Sequence, residues 1–160
     1  MPVELAPPDA VIAVVEQVFK VMVRLEAKAS SDAWQAIAGK HVTSLVTVSG
    51  PIDSDQPNYS VSLELSEDLA MRVTGATLKK PITGWSHMVE DAIGEITNMI
   101  AGNLKKHMIA THVLSIPVVA HGSDFDFKMP TLQATQEQVF SCGADRFRLI
   151  VGHVKNEERR

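Results

Sequence analysis

The sequence has few of the features that mark several large classes of protein. Cys142 is the only cysteine among 160 residues, which leaves no disulfide framework and no cysteine-ligated zinc site. The formal charge is −4, and no run of lysine or arginine forms a stripe, which argues against nucleic acid as a partner. No apolar run is long enough to span a bilayer, and the first residues lack the basic start of a signal peptide. We therefore expect a soluble, cytoplasmic protein without a membrane partner.

Motifs of several enzyme classes are also missing. The sequence has no phosphate-cradling glycine loop, and none of its serines lies in a nucleophile elbow. His107 and His112 are five residues apart, whereas a zinc-binding pair on a helix is spaced by four. Asp124 and Asp126 resemble a fragment of a metal loop, but no further acidic ligand follows at a useful spacing. We therefore predict no metal site.

Length and composition predict one domain with a proper core. Hydrophobic residues make up 45% of the chain and charged residues 21%, which is ordinary for a globular protein. We expect residues 1–160 to form a single domain, with residues 1–8 and 155–160 frayed at its ends.

Hydrophobic periodicity and turn signals predict an α+β fold, in which long helices pack on a mainly antiparallel sheet in the order α-β-β-α-α-β-β-β. The predicted helices are residues 9–28, with Asp9 as the cap, residues 67–79, with Ser66 as the cap, and residues 85–107. The predicted strands are residues 41–49 and 59–65, which form a hairpin, an edge strand at 111–119, a short strand at 125–129, and a closing hairpin of 138–142 with 146–154.

The helix at residues 85–107 carries a polar band beside its apolar stripe. Ser86 can cap its start, and lysines lie in its last turn, where cations suit the helix dipole. Asp91, Glu95 and Asn98 occupy positions i, i+4 and i+7, so they share one face of a rigid rod. By itself, such a band is most simply a solvated helix face.

Two glycines interrupt the same helix. Gly94 and Gly102 each cost about 1 kcal/mol relative to alanine in a helix interior. We expect both to project toward the polar side, which would make the surface around Glu95 and Asn98 low and smooth. Either a partner protein or a neighbouring element of the same fold then approaches the helix backbone closely, and the sequence does not distinguish the two.

The segment DAIGEITNMIAGNLK closely resembles the signature helix of the CheX-type chemotaxis phosphatases, within the broader CheC-like family. The core of that motif, Glu-x-x-Asn followed by Met-x-x-Gly, corresponds here to Glu95, Asn98, Met99 and Gly102. The segments HVTSLVTV, YSVSLELSEDLAMRV and SIPVVAHG follow the family's order and spacing. The resemblance covers most of the chain from about residue 41 onward.

This resemblance implies a CheC-like fold and hydrolysis of the aspartyl phosphate on a CheY-like receiver domain. Asn98 would then hold the attacking water, Glu95 would dock on the receiver lysine, and Asp91 would contact the rim. Gly94 and Gly102 would let the receiver come close. The protein would need no cofactor of its own, because the receiver supplies Mg²⁺, and it would form a homodimer through sheet edges. The alternative is a non-catalytic module that binds a receiver or a flagellar protein through the same helix.

Overall fold

A computed structural model describes residues 5–53, 55–108, 111–123 and 132–154. Its helices are α1 (Pro8–Val18), which continues as a π-helical turn (Phe19–Val23), α2 (Glu67–Leu78) and α3 (His87–Lys105). Its strands are β1 (Lys28–Ser30), β2 (His41–Ser49), β3 (Asn58–Ser66), β4 (Val113–Leu114), β5 (Val118–Gly122), β6 (Leu132–Cys142) and β7 (Asp145–Val154). None of the helices in these ranges is long and apolar enough to cross a membrane.

The seven strands form one antiparallel sheet in the order β1-β6-β7-β3-β2-β4, and β5 also pairs with β2. Strand β2 has the predicted bounds, and it pairs with β3 as the predicted hairpin, with Val42 opposite Leu65. Alternate residues of both strands, such as Val46 and Leu63, are completely buried. Helix α3 contacts both strands, so the most regular part of the sheet supports the helix that carries the polar band.

Helix α2 begins and ends as local sequence signals predict. The Ser66 hydroxyl accepts a hydrogen bond from the Leu69 backbone N–H at 3.1 Å, which satisfies one free donor of the first turn. Lys79 ends the helix in a left-handed conformation with φ 55°. In the middle of this helix, Arg72 donates hydrogen bonds to the Asp145 carboxylate at 2.6 Å and to the Cys142 carbonyl at 3.0 Å. These bonds tie α2 to the turn between β6 and β7.

The first helix is shorter than the apolar stripe predicts. It starts at Pro8 with Asp9 in its first turn, so Asp9 is not the cap, and it ends where Arg24 adopts φ 65°. The chain then forms β1, a strand that the sequence does not predict, because the segment KAS has no β signal and pairs only with β6. Ala6 is buried in the core, and Pro7 and Pro8 are exposed. The fraying of residues 1–8 stays a prediction.

The edge and closing strands differ from the prediction mainly in length. The predicted edge strand at 111–119 is divided into β4 and β5, with Pro117 in the break between them. Strand β6 begins at Leu132, six residues before the predicted start. The added residues are largely polar, so the sequence gives no strong strand signal there. Gly143, with φ 60°, turns the chain into β7. The predicted strand at 125–129 and the predicted frayed tail at 155–160 lie outside the described residues.

Candidate functional site

Helix α3 packs on the sheet and against α1 and α2, and it presents its remaining side to solvent. Its completely buried side chains include Val89, Ile93, Ile100 and Leu104. Ser86 occupies the N-cap position, as predicted, but its side chain makes no capping bond. Its carbonyl instead accepts hydrogen bonds from the backbone N–H groups of the first turn. The helix is therefore held in place mainly by its apolar side, which leaves its outer face free for another role.

Asp91, Glu95 and Asn98 lie together along this outer face, and we call them the α3 ridge. Asp91 and Glu95 are exposed, whereas Asn98 is half-buried. Within the described ranges, the side chains of Glu95 and Asn98 have no hydrogen-bond or ion-pair partner. Asn103 of the same helix behaves differently, since its amide donates to the Met99 carbonyl at 2.8 Å. The ridge thus places an uncommitted carboxylate and an uncommitted carboxamide one helical turn apart.

The glycines of α3 face strands of the same fold. A Cβ at Gly94 would lie 3.3 Å from Pro117 Cβ and 3.5 Å from Val119 Cγ2, and a Cβ at Gly102 would lie 3.4 Å from Leu114 Cδ1. Gly94 is buried against Pro117 and Val119, so the fold itself covers this part of the helix. The intramolecular alternative accounts for both glycines, because each allows β4 or β5 to approach the helix backbone. A contact of either glycine with a partner protein stays a prediction.

We expect alanine to have different effects at these two positions. Alanine at Gly102 should stabilise the fold by about 0.5–1 kcal/mol, because it is the better helix former and its methyl group meets only ordinary contact. Alanine at Gly94 should gain less or destabilise, because Pro117 must move to admit the methyl group. Urea unfolding of Gly94→Ala and Gly102→Ala measures both effects. A larger gain for Gly94→Ala would contradict the packing described above.

A groove of about 350 Å³ runs beside the ridge, between α3 and the edge of the sheet. We call it the α3–β5 groove, and it is lined by Glu90, Asp91, Gly94 and Glu95 on the helix side and by Ile116, Pro117 and Val119 on the other. Ile116 is not among the site residues that the sequence predicts. An isoleucine next to a proline carries no sequence signal for a surface position, so only the structure reveals its place beside Glu95.

Metal-ligating side chains do not gather in the part of the chain that the structure describes. No group of three or more histidine, cysteine, aspartate or glutamate residues lies close enough there to hold an ion. His121 instead hydrogen-bonds the Glu67 carboxylate and stacks on Trp85, with ring centroids 3.7 Å apart. His112 is buried, and its Nε2 lies 2.7 Å from the Pro57 carbonyl oxygen. These two histidines connect elements of the fold. That the protein binds no metal of its own stays a prediction.

Comparison with known proteins identifies the family. The family model described as chemotaxis phosphatase CheX matches residues 42–142, and this chain belongs to that family. The predicted resemblance is thereby confirmed. A search of curated protein sequences returns no match.

Solved structures of the family share the fold. CheX from Vibrio vulnificus is 24% identical with a TM-score of 0.76, over 91% of this chain and 97% of that one. CheX from Desulfovibrio desulfuricans is 21% identical with a TM-score of 0.74, over the same shares of the two chains. The CheX of a Borrelia burgdorferi CheX–CheY–BeF3–Mg²⁺ complex is 16% identical with a TM-score of 0.67, over 92% of this chain and 97% of that one. The predicted CheC-like α+β fold is confirmed.

Proposed function

We propose that this protein hydrolyses the aspartyl phosphate of a CheY-like receiver domain and that the α3 ridge carries the activity. The observation that supports this most directly is the uncommitted amide of Asn98, one turn from the uncommitted carboxylate of Glu95, in a chain of the CheX family. An amide on a helix usually bonds to its own backbone or to solvent, as that of Asn103 bonds to Met99. The half-buried amide of Asn98 has no bond to a protein group in the described ranges, so it is available to a reactant.

Asn98 has the chemistry that this hydrolysis requires. The water oxygen attacks phosphorus, the bond from phosphorus to the aspartyl oxygen breaks, and the carboxylate leaves with the bonding electrons. The products are a free aspartate and inorganic phosphate, which takes up the water's protons. A carboxamide both donates and accepts hydrogen bonds, so Asn98 can orient the water in line with the leaving oxygen without changing its own protonation state. Its half-buried position limits its rotamers, which favours one orientation.

Glu95 and Asp91 supply the charges that position the receiver. Glu95 is exposed one turn before Asn98 and would pair with the lysine of the receiver's phosphorylation site. Asp91 lies one turn further along the ridge and would contact the rim of that site. Mg²⁺ would belong to the receiver and neutralise the phosphoryl oxygens there, so this chain would only orient the water and dock the receiver. Such a partner would place the protein in the cytoplasm.

The alternative is a module that binds a receiver or a flagellar protein through α3 without catalysis. A pure binding surface has no need for a free amide at Asn98, which favours the enzyme. The decay of a phosphorylated receiver, followed with and without this protein, distinguishes the two. The enzyme shortens the lifetime of the phosphoryl group, and the rate of hydrolysis saturates as receiver concentration rises. A binding module leaves the lifetime unchanged or lengthens it.

We also propose that the protein is a homodimer paired through sheet edges. The support is that β1 pairs with β6 only opposite Val139–Ser141, while β6 itself begins at Leu132. Among the described residues the rest of that edge has no strand partner, and a two-fold assembly would pair it and keep it from attracting other chains. Light scattering should therefore report twice the chain mass of 17.4 kDa. A monomer throughout the micromolar range would contradict this.

A further inference from the structure

The connection between β4 and β5 (residues 115–117) presents an isoleucine beside the α3 ridge. Ile116 is 84% exposed, the largest exposed fraction of any large apolar side chain in the described part of the chain. It lines the α3–β5 groove opposite Asp91 and Glu95. Val113 and Val118, which flank the connection, are also more than half exposed. An apolar strip therefore runs along the sheet edge next to the charged residues of the ridge.

Hydrogen bonds and packing hold this connection rigidly. The Ser115 backbone N–H donates to the Thr47 carbonyl at 2.8 Å, and the Thr47 N–H donates to the Ser115 hydroxyl oxygen at 2.8 Å. The hydroxyl oxygen thus accepts the hydrogen bond that a backbone carbonyl would accept if the strand were continuous between β4 and β5. On the other side, Pro117 packs directly on the backbone of α3 at Gly94. Between these two fixed residues, Ile116 points outward with little freedom to fold back.

A single exposed apolar residue is ordinary on a protein surface, but the position of this one is informative. Interfaces combine a central apolar anchor with a polar rim, and rigid residues lose little entropy on binding. The backbone on both sides of Ile116 is held by Ser115 and Pro117, and its apolar side chain shares one groove with Glu95. A partner that brings its lysine to Glu95 therefore has to cover Ile116 as well.

We propose that Ile116 is an apolar anchor that determines how tightly the protein binds its receiver. The proposal rests on the function proposed above, because it takes the receiver as the occupant of the groove. An isoleucine side chain cannot hydrogen-bond the attacking water or the phosphoryl oxygens. Ile116 therefore contributes to binding and not to the chemical step, which separates its role from that of Asn98.

The test compares Ile116→Ser with Ile52→Ser. Ile52 lies in the turn after β2, is 81% exposed, and does not line the groove, so it controls for the loss of an exposed isoleucine. Binding is measured by titrating each variant with single-domain CheY-like receivers of the same organism, loaded with beryllofluoride and Mg²⁺. We expect Ile116→Ser to raise the Kd of the best-binding receiver about tenfold, or ~1.4 kcal/mol. Ile52→Ser should match the parent.

A second measurement separates this inference from the proposed function. With the phosphorylated receiver, Ile116→Ser should raise the half-saturation concentration by the same factor and keep the maximal rate within about twofold of the parent. Unchanged Kd and half-saturation values, with an active parent, would overturn the role of Ile116 alone. A fall in maximal rate at an unchanged Kd would also overturn it. A parent that binds none of the receivers would overturn both this inference and the proposed function.

Discussion

Replacing Asn98 by alanine is expected to remove most of the acceleration of receiver dephosphorylation, roughly a hundredfold in maximal rate. The amide acts on the attacking water, so its loss removes a contact that is made in the transition state and is worth about 3 kcal/mol. The half-saturation concentration should change little, because the docking contacts of Glu95 and Ile116 remain. The measurement is the decay rate of the phosphorylated receiver over a range of receiver concentrations, fitted for maximal rate and half-saturation separately.

Asn103→Ala is the matched control for this variant. Asn103 lies on the same helix five residues later, and its amide bonds to the backbone within α3. Both substitutions introduce the better helix former, so neither should unfold the protein. If Asn98→Ala dephosphorylates the receiver as fast as Asn103→Ala and the parent, Asn98 does not orient the water, and the binding module becomes the better account of the ridge.

Replacing Glu95 by alanine is expected to weaken the complex as well as the reaction. Glu95 would face the receiver lysine across an interface that excludes much of the water, and removing one partner of such a pair costs about 2 kcal/mol or more. We therefore expect the half-saturation concentration and the Kd of the beryllofluoride-loaded receiver to rise roughly thirtyfold. Raising the ionic strength should weaken the parent complex and affect the Glu95→Ala complex less.

Glu26→Ala serves as the control for this loss of charge. Glu26 is an exposed glutamate between α1 and β1, outside the α3–β5 groove, and its partner is the exposed Lys28. This variant should bind and react as the parent does. If Glu95→Ala keeps the parent's Kd and salt dependence, Glu95 makes no ion pair with the receiver.

Local sequence signals were sufficient for the elements that support the site. Strict alternation in residues 59–65 predicts β3, and Ser66 followed by an acidic turn predicts α2, because both signals act over a few residues. Strand β1 was missed, since it exists only through its pairing with β6, more than a hundred residues later in the chain. The sequence does not indicate where the first helix ends, because its apolar stripe continues beyond Arg24, the residue at which the backbone becomes left-handed.

At the candidate site, periodicity was enough to place Asp91, Glu95 and Asn98 on one helix face. It could not decide what approaches the glycines, because that depends on where β4 and β5 pack on α3. Nor could it identify Ile116, whose exposure follows from bonds between Ser115 and Thr47, 68 residues apart in the chain. Long-range packing determines both features, so local sequence patterns cannot predict them.

The most direct test of the central claim is the amount of phosphate released when this protein is mixed with a large excess of phosphorylated receiver. An enzyme should release many phosphate ions per molecule, at a rate proportional to its own concentration, and Asn98→Ala should reduce that rate about a hundredfold. Release at the spontaneous rate of the receiver, with parent and variant alike, would contradict the claim that the α3 ridge catalyses the hydrolysis.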